Sequence, residues 1–217
     1  MNRYAVIVAG GSGKRFGSET PKQFLLVRDL PVLMHTMKKF HDSKCEIKLV
    51  LPEAHQDYWV SLCVKYRFTI PHEVIVGGKE RFHSVKNGID AIEHNGIVAV
   101  HDAVRPLVSL NMINSGFQLA ANKGCAVPFI DVRDSMREKR DKIYTRVDRS
   151  RYKLIQTPQI FKIDKIKELM DCDYEECFTD EATLWEDKGE KLYFFEGDHQ
   201  NIKITYPSDL KFAEAVI

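Results

Sequence analysis

Long apolar runs are missing from this sequence. The longest uninterrupted one, the "AVIVA" of residues 5–9, is far too short to span a bilayer, and no charged, apolar and small-residue leader precedes it. A cytoplasmic protein with no membrane contact is expected. An excess of either charge sign is missing too: 32 Lys and Arg stand against 31 Asp and Glu, so there is no global basic field for non-specific nucleic-acid binding. Any anion site must be local. The five cysteines, Cys45, Cys63, Cys125, Cys172 and Cys177, are odd in number and show no CxxC spacing, which argues against a disulfide framework or a thiolate zinc site. They read as reduced core thiols. Among the eight histidines there is neither an HxxxH nor an HExxH pair, so a histidine-based zinc site is not expected.

What is present is ordinary for a globular protein: 217 residues, 44% hydrophobic and 29% charged, enough for one sizeable core and one domain over residues 1–217. Short β-branched runs alternate with stretches of helical period, the signature of an α/β protein with a mostly parallel sheet and helices on its faces. Strands are expected at Tyr4 to Val8, Ile47 to Leu51, Val74 to Val76, Ile97 to Val100 and Cys125 to Ile130. Helices are expected at Val32 to Phe40, Glu53 to Tyr66, Arg81 to His94 and Leu110 to Asn122. Residues 132–153, "VRDSMREKRDKIYTRVDRSRYK", are dense in both charge signs and poor in apolar residues. Extended pieces at Ser135 to Arg137 and Ile143 to Val147 flank the turn-prone "EKRDK", which predicts a protruding hairpin arm; a solvated loop is the alternative. A strand at Asn201 to Thr205 and a helix at Ser208 to Ala215 close the chain.

The first strand runs into "AGGSGKRFG", where Gly10, Gly11 and Gly13 let backbone N–H groups approach an anion closely. It is not a P-loop, because Val8 stands five before Gly13 and Arg15 follows Lys14. It is not a dinucleotide fingerprint either, because Phe16 occupies the third glycine position. Lys14, Arg15 and, seven residues on, Lys22 surround one anion site. A nucleoside triphosphate brings about four negative charges, which such a cluster and a divalent metal can hold and neutralise during phosphoryl transfer. A tight strand-to-helix turn with solvated cations is the competing reading. Two later loops weigh against it. "VGGKERFHS" offers Gly77 and Gly78 for backbone approach, with Arg81 and Ser84 at a helix start. "VHDAVRP" offers Asp102 as a hard oxygen ligand for magnesium and Arg105 as an anion contact, although an isolated Asp102 would also suit a turn or helix cap.

In their order along the chain, "AGGSGKRFG", "PKQF", "GGKERFHSV", "HDAVRP", "VRDSM", "VDR", "TPQ", "TDEA" and "NIKIT" give a sequence that resembles the cytidylyltransferases that attach CMP to a sugar-alcohol phosphate. The resemblance covers essentially the whole chain. It implies a Rossmann-like nucleotidyltransferase fold with a protruding β-arm, and attack of the acceptor phosphate on the α-phosphorus of CTP with Mg²⁺ as cofactor. It implies that Arg15 and Lys22 stabilise the transition state, and that Arg149 and Lys203 position the attacking phosphate. Ala9, Gly10, Gly11, Gly13, Gly78, Arg81, Ser84 and Ala103 then belong to the CTP site, Asp102 binds the metal, and Arg105, Ser135, Thr179 and Thr205 lie near the acceptor. It further implies a homodimer in which the arm carries Arg149 into the partner's site. "RDSM" and "TDEA" favour 2-C-methyl-D-erythritol 4-phosphate as acceptor. The AGG loop, "HDAVRP" and Ser135 depart from the usual pattern and leave ribitol or another pentitol 5-phosphate as the alternative; a non-catalytic nucleotide sensor is a more distant one.

Overall fold

The computed structural model describes residues 1–10 and 20–217. β1 (Asn2–Val8) lies between β4 (Glu46–Leu51) and β6 (Gly96–Asp102), parallel to both, and β5 (Glu73–Val76) extends the parallel set beyond β4. On the other side of β6 comes β11 (Gln159–Lys162), antiparallel to it, and then β7 (Cys125–Asp131), antiparallel to β11. β7 also pairs with β10 (Lys153–Ile155), antiparallel, and with β12 (Phe194–Glu196), parallel. Two short ladders stand apart: β2 (Leu26–Val27) with β3 (Leu30–Pro31), and β8 (Arg137–Arg140) with β9 (Ile143–Arg146).

Both faces of the sheet are covered, and the strand pleat shows how. Ala5 and Ile7 of β1, Ile47 and Leu49 of β4, and Ile97 and Ala99 of β6 face one core, with α1 (Val32–Asp42), α2 (Gln56–Tyr66) and α4 (Leu110–Lys123) packed on it. Tyr4 and Val6, Val50, and Val98 and Val100 face the other, under α3 (Arg81–Asp90), α5 (Ile163–Leu169) and α6 (Glu181–Asp187). Strands buried on both faces have no polar side to show, which is why they read as continuous apolar runs. α3 lies especially close. A Cβ on Gly88 would stand 2.6 Å from Val6 Cγ1 and 2.8 Å from Val50 Cγ2, so only glycine lets the helix seat at that depth.

Most of the elements expected from sequence match to within a few residues, four of them differ, and β10, β11, β12, α5 and α6 are additional. Residues 53–55 form a 3₁₀ turn before α2 because Pro52 starts the element and the i→i+3 bond from His55 N–H to Pro52 O tightens it. α3 ends at Asp90. The arm is a hairpin, but "EKR" is strand: Arg140 pairs with Ile143, and the turn narrows to Asp141 and Lys142, with Asp141 at φ 53° as two-residue hairpin turns require. Residues 201–205 form no strand; they run beside the end of β6, joined by Ile204 N–H to Val104 O, and α7 (Pro207–Val216) follows. Among the described residues no helix is long and apolar enough to cross a membrane.

Candidate active site

Open α/β sheets gather ligands beyond the carboxyl ends of their parallel strands, where successive loops splay apart. Here a cavity of about 370 Å³ opens at the ends of β1, β5 and β6. Val8, Ala9 and Gly10 form one wall, and the loop from Gly78 into α3 forms another, with Arg81 and Ser84. Asp102, Ala103 and Val104 make the floor, and Lys22, Gln23 and Lys203 complete the rim.

Backbone bonds fix these loops to the sheet. Ala9 N–H donates to Val50 O and Ala103 N–H to Val8 O, each continuing a ladder one step beyond its strand. Gln23 Nε2 donates to Ala9 O at 2.8 Å, holding the Lys22–Phe24 turn against the end of β1. In the second wall, Gly78 N–H donates to the buried Ser84 Oγ at 3.0 Å. A Cβ on Gly78 would lie 2.3 Å from His83 Cβ, so the chain can pass the start of α3 this closely only as glycine. Glu80 and His83 close a reciprocal cap around the same helix start.

Asp102 is the electrostatic centre. It is 7% exposed, and its Oδ2 accepts from Arg105 Nε at 3.1 Å and pairs with Lys203 Nζ at 3.1 Å, while Arg81 stands 3.9 Å from Oδ1. Burial alone would raise its pKa, but Lys203, Arg81 and Arg105 hold the carboxyl well below the usual range, so it is ionised. Arg81 in turn donates to both oxygens of Glu181, NH1 to Oε1 at 2.5 Å and NH2 to Oε2 at 3.1 Å. Glu181 is 3% exposed; burial raises its pKa and the Arg81 charge opposes the rise. Lys22, also buried, donates from Nζ to Ile204 O at 3.2 Å.

Behind the floor lies a polar network. His101 is fully buried and its pKa is lowered to about 3, by desolvation first. Its Nε2–H donates to Arg105 O, which leaves Nδ1 to accept from Thr157 Oγ1; Thr157 Oγ1 itself accepts Asp102 N–H. Asn201 Nδ2 donates to Thr157 O and Arg105 NH1 to Asn201 O. These bonds tie "HDAVRP", "QTP" and "NIKIT" into one unit, which places Lys203 over Asp102.

Of the residues expected at the site, Ala9, Gly10, Lys22, Gly78, Arg81, Ser84, Asp102, Ala103 and Lys203 all line the cavity, and Arg105 abuts it through Asp102. Gly11, Gly13 and Arg15, with Lys14, lie outside the described residues. Thr205 and Thr179 are not in the cavity wall: Thr205 N–H donates to Asp209 Oδ2 at the start of α7, and Thr179 is exposed beside Thr183. Ser135 and Arg149 stand on the exposed arm, where Arg149 NH1 donates to Arg133 O. Glu181, Gln23 and His101 are not evident as site residues in the sequence. "TDEA" held the signal for Glu181, but only the fold brings it to Arg81.

Asp102 can serve a divalent metal: it is an ionised hard-oxygen donor at the cavity floor, and Oδ1 is not hydrogen-bonded to Arg81 at 3.9 Å. Among the described residues no cluster of three or more His, Cys, Asp or Glu could cage a metal.

Glycine-lined loops at the ends of parallel strands, with cations converging on one carboxylate, define a nucleotide-binding α/β protein built for phosphoryl-type transfer. The model of the 2-C-methyl-D-erythritol 4-phosphate cytidylyltransferase family matches residues 4–217. The chain belongs to that family. It is 44% identical to the 2-C-methyl-D-erythritol 4-phosphate cytidylyltransferase of Phocaeicola vulgatus and 45% identical to that of Bacteroides fragilis, the former covering 100% of both chains. Among solved structures it is similar to 4-diphosphocytidyl-2C-methyl-D-erythritol synthase from Anaerococcus prevotii, with a TM-score of 0.83, 25% identity and coverage of 99% of this chain and 97% of that one. The 2-C-methyl-D-erythritol 4-phosphate cytidylyltransferase of Thermus thermophilus gives 0.81 at 28% identity, over 100% and 98%.

Proposed function

We propose that this chain transfers CMP from CTP to 2-C-methyl-D-erythritol 4-phosphate, releasing pyrophosphate and forming 4-diphosphocytidyl-2-C-methyl-D-erythritol for isoprenoid precursor synthesis. Within a chain of this family, the observation that carries the reading is the convergence of Lys22, Arg81 and Lys203 on a glycine-lined cavity around the ionised Asp102.

The acceptor phosphate is already an anion near neutral pH, so no general base is needed. One of its oxygens forms a bond to the α-phosphorus of CTP; the bond from that phosphorus to the bridging oxygen breaks, and its electron pair leaves with pyrophosphate. The protein aligns the reactants and stabilises charge. Lys22 and Arg15 are the cations assigned to stabilise the charge that builds on the α-phosphoryl oxygens. Gly10, Gly78 and Ser84, with Ala9 and Ala103, shape the nucleotide pocket, and Arg81 adds a cation to it. Lys203 has an ammonium 3.1 Å from Asp102 and 43% exposed, placed to take an incoming phosphate. Asp102 would hold the magnesium ion that accompanies the triphosphate, which would supply further charge neutralisation.

The arm of residues 132–153 has a role in the same reading. All of β8 and β9 is exposed, with Ile143 at 67% and Tyr144 at 63%, so the hairpin has no core of its own chain to rest on. A two-stranded ribbon is marginal by itself, and a symmetry-related copy would support it. The reading includes a homodimer that would deliver Arg149 to the partner's acceptor site, with Ser135, Arg105, Thr179 and Thr205 assigned to the surroundings of that acceptor. The setting is the cytoplasm, on one domain of residues 1–217. The test is to incubate purified protein with each nucleoside triphosphate and a panel of sugar-alcohol phosphates and measure pyrophosphate. Release should be greatest with CTP and the methylerythritol phosphate and should vanish in EDTA; equal turnover of ribitol 5-phosphate would overturn the acceptor assignment.

A further inference from the structure

Arg81 stands between two carboxylates and is bonded to one of them. Both of its terminal nitrogens grip Glu181, at 2.5 and 3.1 Å, whereas Asp102 Oδ1 lies 3.9 Å from NH2. Glu181 cannot readily move away. It opens α6, whose N-cap Asp180 accepts Thr183 N–H through Oδ1 and Gln159 Nε2 through Oδ2. Gln159, buried in β11, accepts Ala182 N–H through Oε1, so the start of the helix is fastened to the central sheet on both sides of Glu181. A fork-to-fork grip from so fixed a carboxylate sets both the plane and the reach of the guanidinium.

We propose that Glu181 is a positioning residue of this site: it holds the Arg81 cation short of Asp102 Oδ1 and so keeps that oxygen accessible to the divalent metal that accompanies the triphosphate. The inference rests on the reading of Asp102 as the metal ligand. Without the Glu181 charge, the nearest anion for Arg81 is Asp102, and the guanidinium closes on it and competes with the metal. Closing from 3.9 Å to hydrogen-bond distance at an effective dielectric of about 20 strengthens that pairing enough for a ~10-fold loss of metal affinity.

The experiment compares wild type, Glu181→Gln, and the double variant Glu181→Gln with Arg81→Met, which removes both charges and leaves no unpaired ion in the core. Free Mn²⁺ is titrated by electron paramagnetic resonance at saturating CTP, and product formation is measured across magnesium concentrations. Glu181→Gln should bind Mn²⁺ ~10-fold more weakly and need correspondingly more magnesium, a defect that excess magnesium largely reverses. The double variant should regain Mn²⁺ affinity near that of wild type even where its KM for CTP is raised. If Glu181→Gln does not fold, the double variant alone decides: weak Mn²⁺ binding in it overturns the proposal. Unchanged Mn²⁺ affinity in Glu181→Gln, or a loss of rate that magnesium does not relieve, overturns it as well. Wild type that makes no product from CTP and methylerythritol phosphate counts against the functional reading; active wild type with unaltered metal response in Glu181→Gln counts only against this inference.

Discussion

Lys203 reaches across from the segment after β12 to place Nζ 3.1 Å from Oδ2 of Asp102 at the end of β6. The contact joins the residue expected to position the attacking phosphate to the residue expected to hold the metal. Asp102 thus balances the charge of Lys203, Arg105 and Arg81, besides the metal-ligand role proposed for it. Asp102→Asn removes both services. Its kcat/KM should fall by ~100-fold or more, since a metal's charge stabilisation amounts to several kcal/mol. Steady-state rates over a range of magnesium concentrations check this, and wild-type-like rates in the variant would contradict it.

Lys22 is buried at the cavity rim, with Nζ bonded to Ile204 O. If its charge acts on the transition state, Lys22→Ala lowers kcat by ~100-fold or more, the usual cost of losing one preorganised charge partner. A change confined to KM would make Lys22 a residue that binds ground and transition states alike. Full kinetic curves in both substrates separate the two.

The site was largely legible because its residues cluster in short motifs at strand ends, where parallel-sheet topology brings them together. Ala9, Gly10, Gly78 and Asp102 illustrate this: each lies at or within two residues of the end of β1, β5 or β6. Lys22, at the start of a 3₁₀ turn, is visible in the sequence as the third cation after the glycine loop, whereas Lys203, on an irregular segment, is pointed to only by the resemblance. Glu181 was not legible as a partner of Arg81, because a pair separated by 100 positions leaves no local pattern. The same limit explains the fold differences. β11 is an antiparallel insertion between parallel strands, and "QIFK" has no alternation to announce it. Residues 201–205 have strand-like composition, but their carbonyls and amides serve Arg105, Thr157 and Val104 instead of a ladder.

Gly88 sets how deeply α3 sits, and α3 carries Arg81 and Ser84 at its start. The atoms that a new methyl would meet belong to Val6 and Val50, both fully buried and unable to yield. Gly88→Ala should therefore cost about 1–3 kcal/mol in denaturant unfolding, the range for overpacking a filled core. A variant as stable as wild type would show that the helix can rise without penalty.

The arm can be tested without a view of the dimer. If Arg149 serves the partner's site while Lys22 serves its own, inactive Lys22→Ala and inactive Arg149→Ala dimers should complement each other after subunit exchange. Each mixed dimer holds one doubly damaged site and one intact site. Random exchange makes about half the dimers mixed, so about a quarter of wild-type activity should return. Demonstrated exchange without recovery would place Arg149 in the site of its own chain.

The central claim is that the acceptor's phosphate attacks the α-phosphorus of CTP in the cavity around Asp102. The most direct measurement uses 2-C-methyl-D-erythritol 4-phosphate labelled with ¹⁸O in its non-bridging phosphate oxygens, with ³¹P NMR and mass spectrometry of both products. The account predicts that all of the label stays in 4-diphosphocytidyl-2-C-methyl-D-erythritol, part of it in the new phosphorus–oxygen–phosphorus bridge, and that the released pyrophosphate carries none. Label in the pyrophosphate, or release of pyrophosphate with CMP and unreacted acceptor in place of the joined product, would contradict it.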